Sequence, residues 1–368
     1  MKKLVCVTNI PSPYQIKWSQ ELKKYYDVQF WFMIDIKDSA TGRPNYWEVD
    51  LPKHCKVLPS KFKKYEICYG PTLVKELNDF NPDIVMVGGA WHMISWMQAY
   101  RWAVKNNKKI TTTPIEFNKN LYRNWTIKRN KLIYKYLYGK VDLFNANAFY
   151  HYDYFVEVLG ISNVALFMNY DDYKPYLKHP KRLKKRTITF LYGGAIDRRM
   201  RVPETIKTFE KIVSKYDVAR LVIGGYGPEK EQCRDIVDNS STLLEKVSFY
   251  DVKSWDEIPD VFEKCDVLIN FASYSPGAGV ILSSVASGMG VISNISIHAT
   301  RHFVIDNYNG FIVEDEKSLY KAMENYIENE NLIEEHSKRS KSIGINTLTY
   351  EKHLEDFNYL ITEKIFKD

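Results

Sequence analysis

The hydrophobic positions of this chain fall into short runs separated by longer stretches of helical period. Residues 4–8 (LVCVT) form a compact apolar run, and 15–24 then carry apolar residues at helical spacing. Further runs occupy 28–34 (VQFWFMI) and 84–87 (IVMV), the latter ended by Gly88-Gly89. Residues 91–105 return to the helical period, and 109–113 and 141–146 (VDLFNA) are strand-like. Short apolar runs without polar alternation fit strands buried on both faces, with the helical segments as covering layers. The alternation predicts a parallel sheet with helices on each side.

The pattern breaks at 171–186 (DDYKPYLKHPKRLKKR), which holds two prolines and a dense basic run. Such a stretch reads as a linker between domains. The alternation then restarts. Strands are expected at 187–192 (TITFLY), 219–223 (ARLVI), 247–250, 267–271 (VLINF), 290–293 and 310–313. Helices are expected at 203–215, 281–287, 317–329 and 350–366. Pro203 opens the first of these, where its missing N–H is harmless. The predicted fold class is α/β: two Rossmann-like, doubly wound domains facing each other across a cleft. They cover 1–172 and 187–349, with 173–186 as linker. Ligands in such sheets sit beyond the carboxyl ends of the strands.

Composition narrows the class without changing this picture. The chain has 368 residues, 45% apolar and 26% charged, which excludes disordered and collagenous chains. A formal net charge of +7 is too weak to imply nucleic acid. The five cysteines form no C-x-x-C pair, which suits a reducing compartment. The apolar run after Lys2-Lys3 is too short for a signal peptide and reads as a buried strand. No apolar run approaches the roughly 18 residues of a membrane span. A cytoplasmic address is expected, with peripheral attachment to the inner face of a membrane as an option.

Candidate chemistry concentrates in three strand-end loops of the second half. Gly193-Gly194 leads into Arg198, Arg199 and Arg201 just before a helix. A glycine turn opening a helix offers backbone N–H groups to an anion, and arginines grip phosphate oxygens in pairs; the alternative is a solvated basic turn. The second loop holds Gly224, Gly225 and Gly227, where glycine allows close backbone approach to a ligand or a neighbouring strand, and a plain tight turn explains it equally well. The third, Ser273 to Gly279, includes Ser275, Gly277 and Ala278 before a helix that carries Ser283. Three anion-type loops in one half favour a nucleotide-type ligand.

In order, GGAIDRRMR, LVIGGYGP, VSFYDV, CDVLINFASYSPGAGVILSSVASGMGVISN and NYNGFIVED resemble the donor half of family 4 glycosyltransferases of GT-B fold. TNIPSPYQ and VALFMNYDDYKPY extend the resemblance across the first half. It implies transfer of a sugar from a nucleotide-sugar donor to a glycan or lipid-linked glycan, as in surface polysaccharide or glycoconjugate synthesis. Retention of configuration and no metal or other cofactor are implied too. The resemblance also places Val252 in the donor set and sends 350–368 back onto the first domain.

The departures are specific. The family has two Glu separated by seven residues, and the resemblance places Ser275 and Ser283 there. Its diphosphate-binding Arg and Lys fall on Ala195 and Met200. Arg198, Arg199 or Arg201 could restore the charge, with Arg199 the expected diphosphate partner. A catalytically silent homologue that assists another transferase is the alternative reading.

For the acceptor, Pro13 and Tyr14 follow the first strand, His92 follows Gly88-Gly89, and Glu116 follows KITTTP. Each has a bland reading as a packed or surface residue. His92 or Glu116 could accept the acceptor's hydroxyl proton. Residues 117–140 carry Lys and Arg with interleaved aromatics and no acid, which suits an anionic membrane surface or an ordinary basic helix face. No nucleic-acid fold signature accompanies them, so nucleic acid is not expected as a partner. His151 and Asp153 lack a third ligand nearby in sequence, so no metal site is expected.

Overall fold

The computed structural model describes the chain except residues 39–46, 62–66, 90–92, 115–122, 147, 167–172, 178–186, 276–278 and 368. The chain divides into two compact units, Met1–Asp171 with His353–Asp368, and Asp172–Lys352.

In the first unit, strands β1 (Lys2–Thr8), β2 (Tyr26–Phe32), β3 (Cys55–Val57), β4 (Ile84–Gly89), β5 (Lys109–Pro114), β6 (Leu143–Ala146) and β7 (Val164–Leu166) form one sheet. Its order is β3-β2-β1-β4-β5-β6-β7 and every pairing is parallel. Residues 4–8 are buried throughout, as a central strand covered on both faces requires. Helix Ile94–Lys105 places Trp96 against Tyr138 at 4.6 Å, and Tyr138 stacks on Tyr134 at 4.7 Å. Nine aromatic side chains, Trp96, Tyr134 and Tyr138 among them, are buried in this core. Strands β3 and β7 were not expected. At three residues each, they are too short to show a period.

The C-terminal helix Tyr350–Ile361 reaches this unit: Phe357 lies edge-on to Trp18 at 5.3 Å, and the Tyr26 hydroxyl donates to Asn358 Oδ1 at 2.9 Å.

The second unit holds β8 (Ile188–Ala195), β9 (Ala219–Tyr226), β10 (Val247–Tyr250), β11 (Val267–Asn270), β12 (Gly290–Asn294) and β13 (Gly310–Val313). Their order is β10-β9-β8-β11-β12-β13, again all parallel. Helix Val202–Val213 buries Ile206, Phe209 and Ile212, with Phe209 edge-on to Phe190 at 6.1 Å. Within the expected linker, Lys174–Leu177 is a short helix of this unit, where Tyr176 meets Phe262 edge-on at 5.4 Å.

Both sheets have a topological switch point, between β1 and β4 and between β8 and β11. At such a point successive crossovers leave in opposite directions, and the loops beyond the strand ends are free to hold a ligand. Among the described residues, no helix is long and apolar enough to cross a membrane.

Candidate functional site

The loops after β8, β9, β11 and β12 gather at the carboxyl edge of the second sheet. The glycines of the first loop act differently from the sequence reading, and those of the second take its close-approach alternative. Gly193 and Gly194 do not turn the chain: they stay in β8, paired with Gly224 and Gly225 of β9. A Cβ on Gly225 would lie 2.1 Å from the Gly194 carbonyl oxygen. One on Gly227, at φ 151°, would lie 2.2 Å from that of Ile196. These glycines let two backbones approach each other, so strands β8 and β9 run further than their apolar residues suggest. The turn comes later, where Met200 N donates to Asp197 O at 2.8 Å. It is tied to the neighbouring loop by Ile196 N to Tyr226 O at 2.7 Å and Glu229 N to Ile196 O at 3.1 Å.

The three arginines take separate positions. Arg198 is exposed. Arg199 is half-exposed and pairs with Asp197 through its guanidinium at 2.7 Å, while its backbone N–H donates to the other carboxylate oxygen at 2.9 Å. Arg201 stands at the N-terminus of helix Val202–Val213 with φ 54°. Its guanidinium lies over the Phe271 ring at 4.0 Å and reaches Glu316 at 3.5 Å and Glu204 at 3.9 Å. Arg201 thus ties this turn to the end of β11 and to helix Glu316–Glu328. Met200 is buried.

The loop after β11 is joined to this turn across the switch point. Ser273 donates to the Arg199 carbonyl oxygen twice, from its N–H at 2.8 Å and its hydroxyl at 3.1 Å. Ser275 bridges to Ile297 of the loop after β12, where His298 N donates to Ser275 O at 3.4 Å. Gly277 and Ala278 lie outside the described residues. Gly279 begins helix Gly279–Ala286, and Ser283 is buried one turn further on. Val252 is half-buried just after β10, beside Asp251, whose carboxylate pairs with Lys230 and Arg234.

Sequence reading missed part of this edge. The Tyr274 ring meets His298 edge-on at 6.1 Å, and His302 follows on the short helix Thr300–Phe303. Burial, reinforced by Arg301, pulls His298 down to about 4. Burial, then His298 and Arg301, does the same to His302, which also falls to about 4. Both imidazoles are therefore neutral at physiological pH and serve as hydrogen-bonding groups rather than cations. No motif marks them; strand order alone brings the loop after β12 beside the loop after β11. The Tyr274 hydroxyl is buried and finds no partner among the described residues. Tyr274→Phe should therefore leave thermal stability unchanged or raise it by up to about 1 kcal/mol, read as a melting temperature.

In the first unit, Pro13 is buried in the first turn of helix Pro13–Leu22, directly beyond the β1 end. Tyr14 is half-buried and edge-on to Trp47 at 6.4 Å. His92 and Glu116 fall outside the described residues.

Residues 175–343 match the family described as glycosyl transferases group 1. No curated protein sequence matches the chain. Among solved structures, a glycosyltransferase from Rickettsia africae is similar over 100% of both chains, with 13% identity and a TM-score of 0.76. Anabaena HepE in complex with UDP is similar over 98% of this chain and 99% of its own, at 12% identity and a TM-score of 0.75. Sucrose-phosphate synthase from Thermosynechococcus elongatus is similar over 98% of each chain, at 14% identity and a TM-score of 0.71. Residues 175–343 are therefore similar to the glycosyl transferases group 1 family, and the chain has the fold of the GT-B glycosyltransferases.

Proposed function

We propose that this protein is a glycosyltransferase that moves a sugar from a nucleotide-sugar donor to a glycan or lipid-linked glycan. The observation that carries the reading is the junction at the second switch point, where Ser273 is bonded to the turn that bears Arg198 and Arg199. A diphosphate placed there meets the guanidinium groups of Arg198 and Arg199. Support comes from HepE, whose structures hold UDP and UDP-glucose.

The chemistry is electrostatic. As the bond from the sugar's anomeric carbon to the diphosphate oxygen breaks, Arg199 and backbone N–H groups stabilise the developing negative charge. The acceptor hydroxyl attacks the same carbon, and His92 or Glu116 of the first unit takes its proton. Retention, metal independence, a role in surface polysaccharide or glycoconjugate synthesis, and an address at the inner face of a membrane complete the reading.

A second reading is favoured by one observation. Met200 is buried and uncharged, Ala195 is uncharged, and serines stand at 275 and 283. A catalytically silent partner of another transferase would tolerate all four.

Thermal shift against a panel of nucleoside diphosphates and nucleotide sugars separates these readings from an unrelated function. A ligand at about 100 times its Kd should add about 2.7 kcal/mol to stability. Absence of any shift would overturn the donor site. Where a shift appears, nucleotide release in the presence of lipid-linked glycan acceptors, unchanged by a chelator, is expected of the enzyme. Binding without release, together with co-purification of an intact transferase, is expected of the silent partner.

A further inference from the structure

Helix Asn124–Leu137 of the first unit presents an unusual outer face. Its inner face is buried through Thr126, Asn130 and Tyr134, and Asn130 Nδ2 donates to the Tyr154 hydroxyl at 2.9 Å. Opposite them, Trp125, Leu132 and Tyr136 are 70%, 58% and 70% exposed. At about 100° per residue these three fall within a stripe some 40° wide, on the side away from the core. Cations flank the stripe. The Arg129 guanidinium lies over the Trp125 ring at 5.2 Å, and Lys135 Nζ lies 5.5 Å from the centre of the Tyr136 ring. Lys128 is exposed beside them, and the helix contains no acidic residue.

We infer that this face docks the protein on an anionic lipid surface, with Trp125, Leu132 and Tyr136 entering the headgroup boundary and Lys128, Arg129 and Lys135 meeting the lipid charges. The chemistry selects this partner. Aromatic rings with a polar edge and long cationic chains suit the boundary between headgroups and acyl chains. Each cation near such a surface adds electrostatic attraction. A second copy of the chain is disfavoured, because the same cations would face each other. A convex helix face offers no groove to a peptide. The purpose of docking rests on the proposed lipid-linked acceptor; the docking itself rests on the helix.

The test is co-sedimentation of the full chain with vesicles of phosphatidylcholine, with and without phosphatidylglycerol. Binding should require the anionic lipid and weaken with added salt. Replacing Lys128, Arg129 and Lys135 together by Gln should lower affinity by about 30- to 150-fold. Trp125→Ser with Tyr136→Ser should lower it by about tenfold or more. The melting temperature should hold for the Trp125 and Tyr136 variant, whose side chains are exposed, and fall slightly for the triple Gln variant, because the Arg129 guanidinium donates to Asn130 Oδ1 at 3.1 and 3.2 Å. No binding to anionic vesicles at low salt would overturn the inference, as would binding that neither variant weakens. Tighter binding to a DNA duplex than to vesicles, insensitive to Trp125→Ser with Tyr136→Ser, would also overturn it. Nucleotide-induced thermal shift, followed in the same samples, keeps the two proposals apart. Its loss with vesicle binding intact counts against the transferase reading alone, and the converse counts against the surface alone.

Discussion

Gly225→Ala should destabilise the second unit by about 3 kcal/mol or more, at the upper end of overpacking effects. The added Cβ would lie 2.1 Å from the Gly194 carbonyl oxygen and 3.1 Å from Ile196 Cγ1. The first of these is backbone, paired in the sheet, and no rotamer change relieves it. Strands β8 and β9 must part where the turn bearing Arg199 begins. The expected result is a large fall in melting temperature, with nucleotide binding lost as a consequence of misfolding. Gly194→Ala provides the contrast: its Cβ meets nothing within 4 Å, and only its φ of 124° is strained. Its effect should be smaller, about 1–3 kcal/mol. If Gly225→Ala melts like the wild type but loses nucleotide binding, Gly225 faces a ligand rather than a strand, and the packing argument fails.

Arg199→Ala should weaken nucleoside diphosphate binding by about 10- to 150-fold, the effect of one lost charged hydrogen-bonding group. Stability should barely move, because its pair with Asp197 is half-exposed. Arg201→Ala should behave in the opposite way. Its guanidinium is held by Phe271, Glu204 and Glu316, so its loss loosens the turn and lowers the melting temperature first. Asp197→Asn should tighten nucleotide binding, since it frees Arg199 and removes a negative charge beside the diphosphate. Calorimetric titration with UDP and GDP, paired with thermal melts, reads all three. If Arg199→Ala is silent in binding while Arg198→Ala abolishes it, the diphosphate is gripped by the neighbouring side chain. If both are silent, no diphosphate sits on this turn.

The fold was legible wherever burial is apolar. Residues 4–8, 84–87 and 267–271 announce central strands because both faces of a parallel sheet must be hydrophobic. Helix Glu330–Thr347 was not legible, and its contacts say why. It buries His336, Ser337 and Ser340, and the Tyr326 hydroxyl meets His336 Nδ1 at 2.7 Å while Asn309 Nδ2 donates to Ser340 at 3.2 Å. A helix whose inner face is polar shows no apolar period. The short edge strands β3 and β7 were invisible for want of length.

For the candidate site, sequence alone determined which loops hold arginines, glycines and small residues, and that they follow strands. These are local properties, written in neighbouring positions. Tertiary structure decided what each residue does there. Register between β8 and β9 turned Gly194 from a turn residue into the partner of a close backbone approach, and for Gly225 it selected the neighbouring strand over a tight turn. Strand order put Ser273 on the Arg199 carbonyl and His298 beside Tyr274, although these partners come from different βα units. Contacts on Phe271 and Glu316 took Arg201 into the scaffold and left Arg199 and Arg198 towards solvent. Each of these depends on pairing between residues far apart in the chain, which no local pattern encodes, because the loops meet only once the sheet has placed its strands side by side.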